Sequence, residues 1–279
     1  ALMPAPNAAG TLNATYGIEA NNWVRLAKFS WPMNHAVTRY DYNPSAKDKI
    51  FLTLGIINEG PRDQGREFDN ALTTLVGPDT RILLRSSFGY TRFFRSNLVN
   101  EFMLHIQRDP RESYPWFADF DPTKELGIQR KRSLGMPTFS ISGGYGDYGA
   151  SQREKWVSQP AGGANSLTWQ HKRHTLKVGV QIYQNQFWYD SAGSGAGTYA
   201  FNGEITGLGS RGRGNPINAV ADLLLGAVKT ASLPMPQIPV NRTNYNLGIY
   251  INDNWKVTRR LTLNLGLREE YETRQIVKN

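Results

Sequence analysis

Few residues of this chain have the types and spacing that chemistry requires. The run Gly207-Leu208-Gly209-Ser210-Arg211-Gly212 fits G-x-G-x-x-G. That pattern cradles a pyrophosphate only where a buried strand precedes it, a helix opens on it and an acidic residue follows about 20 positions on. Here it lies among small spacer residues, including Gly193, Ser194, Gly195 and Gly197, and reads as flexible loop. His171 and His174 flank a turn and could hold a metal, but no neighbouring cysteine or carboxylate is at hand to fill the coordination sphere. Glu269 and Glu270 are consecutive, so on a strand they point to opposite faces. No Ser/His/Asp order suggests nucleophilic catalysis, so no enzymatic activity and no cofactor are expected. The better candidates are aromatic rings mixed with cations: Trp116, Phe117, Tyr145, Tyr148, Arg211 and Arg213. Such groups suit peptides, glycans or anionic chelates through stacking and charge-assisted hydrogen bonds. The plainer reading is that they pack loop against loop.

The elements that must position these residues are strands. From Asn244 to Glu272 the chain alternates: Tyr245, Leu247, Ile249 and Ile251 fall on one face, closed by Trp255, with Asn244, Asn246, Gly248, Asn252 and Asn254 between them. After the basic connection Val257-Thr258-Arg259-Arg260, Leu261, Leu263, Leu265 and Leu267 face one way and Thr262, Asn264, Gly266 and Arg268 the other. Period two is a strand signature; a helix would scatter those leucines around its cylinder. The apolar row runs about ten residues, the reach of a tilted transmembrane strand. It ends in Tyr245, Trp255 and Tyr271, as an aromatic girdle would. A soluble antiparallel sheet with one wet face has the same alternation.

Three earlier hairpins repeat the pattern. Ala36, Thr38, Tyr40 and Tyr42 lead through a turn at 43–48 to Ile50, Leu52, Leu54 and Ile56. Ile82, Leu84, Phe88 and Tyr90 lead through Arg95-Ser96-Asn97 to Leu98, Phe102, Leu104 and Ile106. Leu167 and Trp169 lead through His171-Lys172-Arg173-His174 to Leu176, Val178, Val180 and Ile182. Short turns alternate with irregular stretches at 59–77, 109–162 and 190–242. Connections of roughly 20, 50 and 50 residues are uncommon inside compact soluble domains. Short turns on one side and long loops on the other are the rule for outer-membrane barrels. The expected fold is therefore all-β: a partial antiparallel up-and-down transmembrane β-barrel of eight strands in four hairpins with long outer loops. A short helix is expected over 218–225, ending at Gly226.

Bulk properties fit this reading. The chain has 279 residues, 32 Lys and Arg, a net charge of +9 and no cysteine. The absence of cysteine excludes disulfides and thiolate sites. The basic excess raises nucleic acid as a partner, but it is dispersed, with only Arg130-Lys131-Arg132 as a short run, so no nucleic-acid partner is expected. There is no stretch of 18 apolar residues, hence no transmembrane helix.

Several stretches resemble one family. YINDNWKVTRRLTLNLGLREEYE (250–272) resembles the barrel signature of TonB-dependent outer-membrane receptors of the Oar-like branch. DYNPSAKD (41–48), NLVNEF (97–102), LTWQHKRHTLKVG (167–179) and ADLLLG (221–226) resemble the same branch, in the same order. Glu269 departs from it, standing where a tyrosine is usual. A carboxylate on the apolar face is tolerable only near the headgroups, and Asp253 poses the same question at the other rim. The resemblance implies a barrel of about 22 strands with a plugged lumen. Residues 1–34 would be loop or barrel edge, 35–273 an internal part of the wall and 274–279 the start of the next loop. It further implies an importer in the bacterial outer membrane, with lipid, a plug domain, the TonB complex and an extracellular substrate as partners. A non-transporting surface barrel or adhesin is the alternative.

Overall fold

The computed structural model describes residues 3–63, 65–74, 76–128, 135–234 and 238–278. Near the start, β1 (Thr11–Asn13) and β2 (Ile18–Ala20) pair as a small hairpin within the segment expected to be loop. The first large hairpin is β3 (Met33–Ser45) with β4 (Asp48–Arg62), and the second is β5 (Val76–Arg95) with β6 (Leu98–Pro115). The connection after β6 carries α1 (Pro122–Leu126), β7 (Thr138–Ile141) and β8 (Gly146–Tyr148). The third hairpin is β9 (Gln152–His171) with β10 (His174–Ser194). Next come β11 (Thr198–Phe201), α2 (Pro216–Leu224) and β12 (Thr230–Ser232). The fourth hairpin is β13 (Val240–Lys256) with β14 (Thr262–Glu272), followed by β15 (Ile276–Lys278).

The eight long strands form one antiparallel sheet in the order β3-β4-β5-β6-β9-β10-β13-β14, an open section of a barrel wall. All four short turns fall where the alternation places them. Residues 274–279, expected to begin a loop, instead include β15, which pairs with β13 just beyond β14 after a register slip.

One expectation needs correction at the long-loop end. The strands run deep into the segments expected to be irregular: β6 continues to Pro115 and β9 begins at Gln152. β9 and β10 span 20 and 21 residues, about twice the 9–11 that cross a hydrocarbon core. In these extensions polar residues fall on both faces beside scattered aromatics such as Trp156, Phe187 and Trp188, so no regular apolar–polar alternation marks them. Cross-strand ion pairs replace apolar contacts there: Glu112 lies 3.2 Å from Arg153 and 3.6 Å from Lys155.

One face of the sheet is greasy throughout. The register aligns Ala36–Ile56, Thr38–Leu54, Phe88–Leu104, Leu167–Val178, Val180–Ile249 and Ile251–Leu267 as facing pairs. Ile249 and Leu267 are 59% and 71% exposed. No second sheet or helix layer packs on that face among the described residues. Apolar surface of this extent is stable against hydrocarbon, not against water.

The register also encodes strand tilt. Tyr42, Ile50, Tyr90, Phe102, Asn165, Val180 and Ile249 share one hydrogen-bonded row. On β3, β5 and β6 that row holds aromatics near the short-turn end. On β13 it holds Ile249, and the aromatic nearest the turn is Trp255, six residues further on. Six residues at ~3.4 Å, accumulated over six strand spacings of ~4.8 Å, give a tilt of ~35°, within the range of membrane barrels. On this inclined band Asp253 lies one step inside Trp255 and Glu269 one step inside Tyr271, both at its margins.

The buried cores lie in the long connections. Ala71, Leu72 and Met136 pack with Phe68, Phe117, Phe120, Phe139 and Tyr148. Ile141, Phe201 and Ala219 pack with Tyr199, Val220 and Leu223, and Phe139 and Tyr148 belong to both clusters. A four-stranded sheet, β12-β11-β7-β8, carries α2 over this second core. The loops are thus a folded outer layer.

Candidate functional site

The face opposite the apolar band is polar and internally paired. Near the short turns Lys177 Nζ lies 3.0 Å from Glu101, which also accepts from Ser166 at 3.3 Å. Higher on the wall Ser87 lies 3.1 Å from His105 Nδ1, and Arg39 binds Asp41 at 2.8 Å while its guanidinium covers Phe51. At the long-loop end one row crosses six strands: Glu59, Arg81, Arg111, Trp156, Tyr189 and Val240. Arg81 is its fixed point. Its Nε and Nη2 donate to the two oxygens of Asp109 at 2.6 and 2.7 Å, and its Nη1 donates to Glu59 at 2.8 Å.

Next to that clamp the row becomes receptive. The Arg111 guanidinium stands 5.8 Å from the Trp156 ring centre, and Phe187 stacks on Tyr189 at 6.3 Å. The Tyr189 hydroxyl donates to Glu154 at 3.3 Å. Arg242 is the direct cross-strand partner of Phe187. Neither Arg111 nor Arg242 has a carboxylate partner among the described residues. Two available guanidinium groups, three strand spacings across and two residues along or ~16 Å apart, therefore flank an aromatic platform. Such a surface can hold an anionic group by charge-assisted hydrogen bonds and a ring or sugar by stacking.

The candidates singled out by sequence lie elsewhere, in the outer layer. Phe117 and Tyr148 pack on the same core, and burial pushes the Tyr148 phenol above its ordinary value. Trp116 stacks under Arg66 at 4.7 Å. Tyr145 is partly exposed in the turn before β8. Arg211 and Arg213 are exposed on the connection before α2, and Arg213 reaches Glu204 at 3.1 Å. These six do not converge on one surface that the contacts define. The run Arg130-Lys131-Arg132 lies outside the described residues. The glycine motif does not open an α-helix: its Gly209–Gly212 form one 3-10 turn, and α2 begins only at Pro216.

His171 and His174 each stack on a rim tryptophan, Trp169 at 5.1 Å and Trp255 at 5.4 Å. One correction applies: His174 does have a carboxylate, since its Nδ1 lies 2.7 Å from Asp253. The partner is 79 residues away in the chain, invisible to local spacing.

Asp222 is the group sequence reasoning missed in the outer layer. It is fully buried on α2, and it accepts from the backbone N–H of Gly203 and of Thr206, both at 2.9 Å. Burial alone would raise its carboxyl, but the donors at Thr206, Ile205 and Gly203 outweigh burial and hold it below the ordinary range. A lone acid inside the apolar run Ala219–Leu225 was the signal that could have found it.

A tilted antiparallel wall, lipid-compatible outside and hydrophilic inside, with short turns at one rim and folded loops at the other, defines a membrane-spanning barrel protein. The chain belongs to the outer membrane beta barrel domain family, which matches residues 1–279, and it resides in the bacterial outer membrane. No curated protein matches the sequence.

Proposed function

We propose that this chain is a section of the wall of a TonB-dependent importer, with its polar face lining the route of an extracellular substrate. The observation that carries the reading is the polar-face patch at the long-loop end, where Arg111, Trp156 and Tyr189 of one row adjoin Phe187 and Arg242 of the next above a ladder of ion pairs. Substrate would meet this patch after the outer loops and then pass along Glu101, Lys177 and His105, the surface a plug domain would contact. The resemblance of residues 250–272 to the receptor signature supports the same reading. The test is in-cell cross-linking of the full-length protein to TonB. A TonB adduct that increases with a transported ligand is expected; an intact outer-membrane protein that never forms one would end the proposal.

A surface barrel used for attachment is the second reading. It is favoured by Ile217 and Leu224 on α2, by Leu225 at its C-terminal cap and by nearby Leu208, which are 53%, 80%, 74% and 85% exposed. Adhesion that persists without TonB and falls when Leu224 and Leu225 become serine would support it over import.

A further inference from the structure

On the lipid-facing side the apolar band is not level. One hydrogen-bonded row reads Thr38, Leu54, Ser86, Ile106, Ala161, Gln184 and Tyr245. Small residues flank Ile106 on both sides, so β6 stands up as a ridge of Leu104 and Ile106 between two furrows. The first furrow runs over β9, with Ala161 and Gly163 recessed between the β6 ridge and Val180 and Ile182, and has a volume of about 530 Å³. The second runs over β5, with Ser86 recessed between Leu54 and Ile106, and has a volume of about 580 Å³. Both are lined mainly by apolar groups, and both border Ile106.

Arg108 stands at the head of the ridge. It is the first polar side chain on this face beyond Phe102, Leu104 and Ile106, it faces Leu84 across the β5–β6 pair and it is exposed. It has no carboxylate partner among the described residues, unlike Arg153 and Lys155 further out, which share Glu112. A lone cation on a lipid-facing surface is tolerated where its guanidinium can reach the headgroup level. The long-loop end fixes that level as the outer leaflet.

We propose that this ridge is a seat for one outer-leaflet lipid with a phosphate-bearing headgroup and at least two acyl chains. Its chains lie in the furrows on either side of Ile106, and its phosphate accepts from Arg108. A guanidinium offers a phosphate two parallel donors, which a lysine does not. Shape selects a lipid that can straddle the ridge; charge selects an anionic one.

The test is native mass spectrometry of the full-length protein released from micelles. The titrants are palmitoyl-oleoyl phosphatidylglycerol and the phosphatidylcholine with the same chains. One tightly held phosphatidylglycerol is expected, at about fivefold lower concentration than phosphatidylcholine, as one basic residue near anionic headgroups provides. Arg108→Gln should abolish that preference. Ala161→Leu with Ser86→Leu, which fills the furrows, should remove the tight site while leaving Arg108 in place. Heat-modifiable migration on gels verifies that each variant folds. Equal binding of the two lipids by the unaltered protein, or a preference unchanged in folded Arg108→Gln, overturns the proposal. So does a disulfide between two copies at Ile106→Cys in native membranes, which would make the ridge a protein contact.

Discussion

Tyr250 lies across Gly179, its direct partner on the neighbouring strand: a Cβ on Gly179 would stand 2.4 Å from the tyrosine Cζ. The same relation joins Phe51 to Gly89 and Tyr183 to Gly162, all on the polar face. A ring laid over a glycine shields the strand backbone and projects little into the lumen. In Tyr250 it also presents a face to Arg268, 5.8 Å away. Gly179→Val should therefore displace the ring and destabilise the wall by about 1–3 kcal/mol, as overpacking does. Urea unfolding in detergent measures this. Adding Tyr250→Ala should recover most of the loss, the non-additivity that marks a direct contact.

Asp222 should govern the outer layer without touching the wall. Replacing it with Ala strands the amides of Gly203 and Thr206, a loss of about 1–3 kcal/mol for each buried group left unpaired. Limited proteolysis should then cut within 203–209 while the barrel stays heat-modifiable. Because the folded carboxyl is held below its unfolded value of about 3.9, its contribution is complete above that value. It is lost as pH falls through the lower folded value. Protection of 203–209 should thus be constant from neutral pH to about 4 and fade below it; protection unchanged well into acid would contradict this account.

What the sequence disclosed and concealed follows from contrast. Leu263, Leu265 and Leu267 against Asn264, Gly266 and Arg268 differ in polarity at every step, so the membrane-spanning part of each hairpin and its turn were legible. Glu112, Ser113, Lys155 and Trp156 sit on strands too, but their alternation opposes one polar group to another. The row of Arg111, Trp156 and Tyr189 was hidden for that reason: its members lie in segments that read as loop. The expected helix at 218–225 was found as Pro216–Leu224, capped by Asn215, whose side-chain oxygen accepts from the backbone N–H groups of Ile217 and Asn218. The loop core of Leu72, Met136 and Phe117 joins two separate connections, and no local pattern announces such a meeting.

The two faces of β10 should respond oppositely to charge. Val180 faces Ile249 in the apolar row, while Gln181 next to it faces Gly248 on the polar side. Val180→Lys should cost about 2–4 kcal/mol, the penalty for a cation near the bilayer midplane, whereas Gln181→Lys should cost little. Lys177 already occupies the polar face of the same strand, paired with Glu101 at 3.0 Å. Folding titrations into lipid vesicles distinguish the variants. Equal penalties would mean that the faces are assigned wrongly.

The Arg81 clamp joins three strands, because Glu59 comes from β4, Arg81 from β5 and Asp109 from β6. Their side chains are only 20%, 11% and 15% exposed for Arg81, Glu59 and Asp109, so water screens the carboxylates incompletely once the cation is gone. Arg81→Gln should destabilise the wall by about 1–3 kcal/mol, the loss of hydrogen bonds to charged groups. Adding Asp109→Asn should restore part of it at neutral pH, since a single carboxylate no longer faces a second one. A merely packing role for Arg81 predicts instead a loss that the second substitution does not change, and thermal unfolding in detergent separates the outcomes.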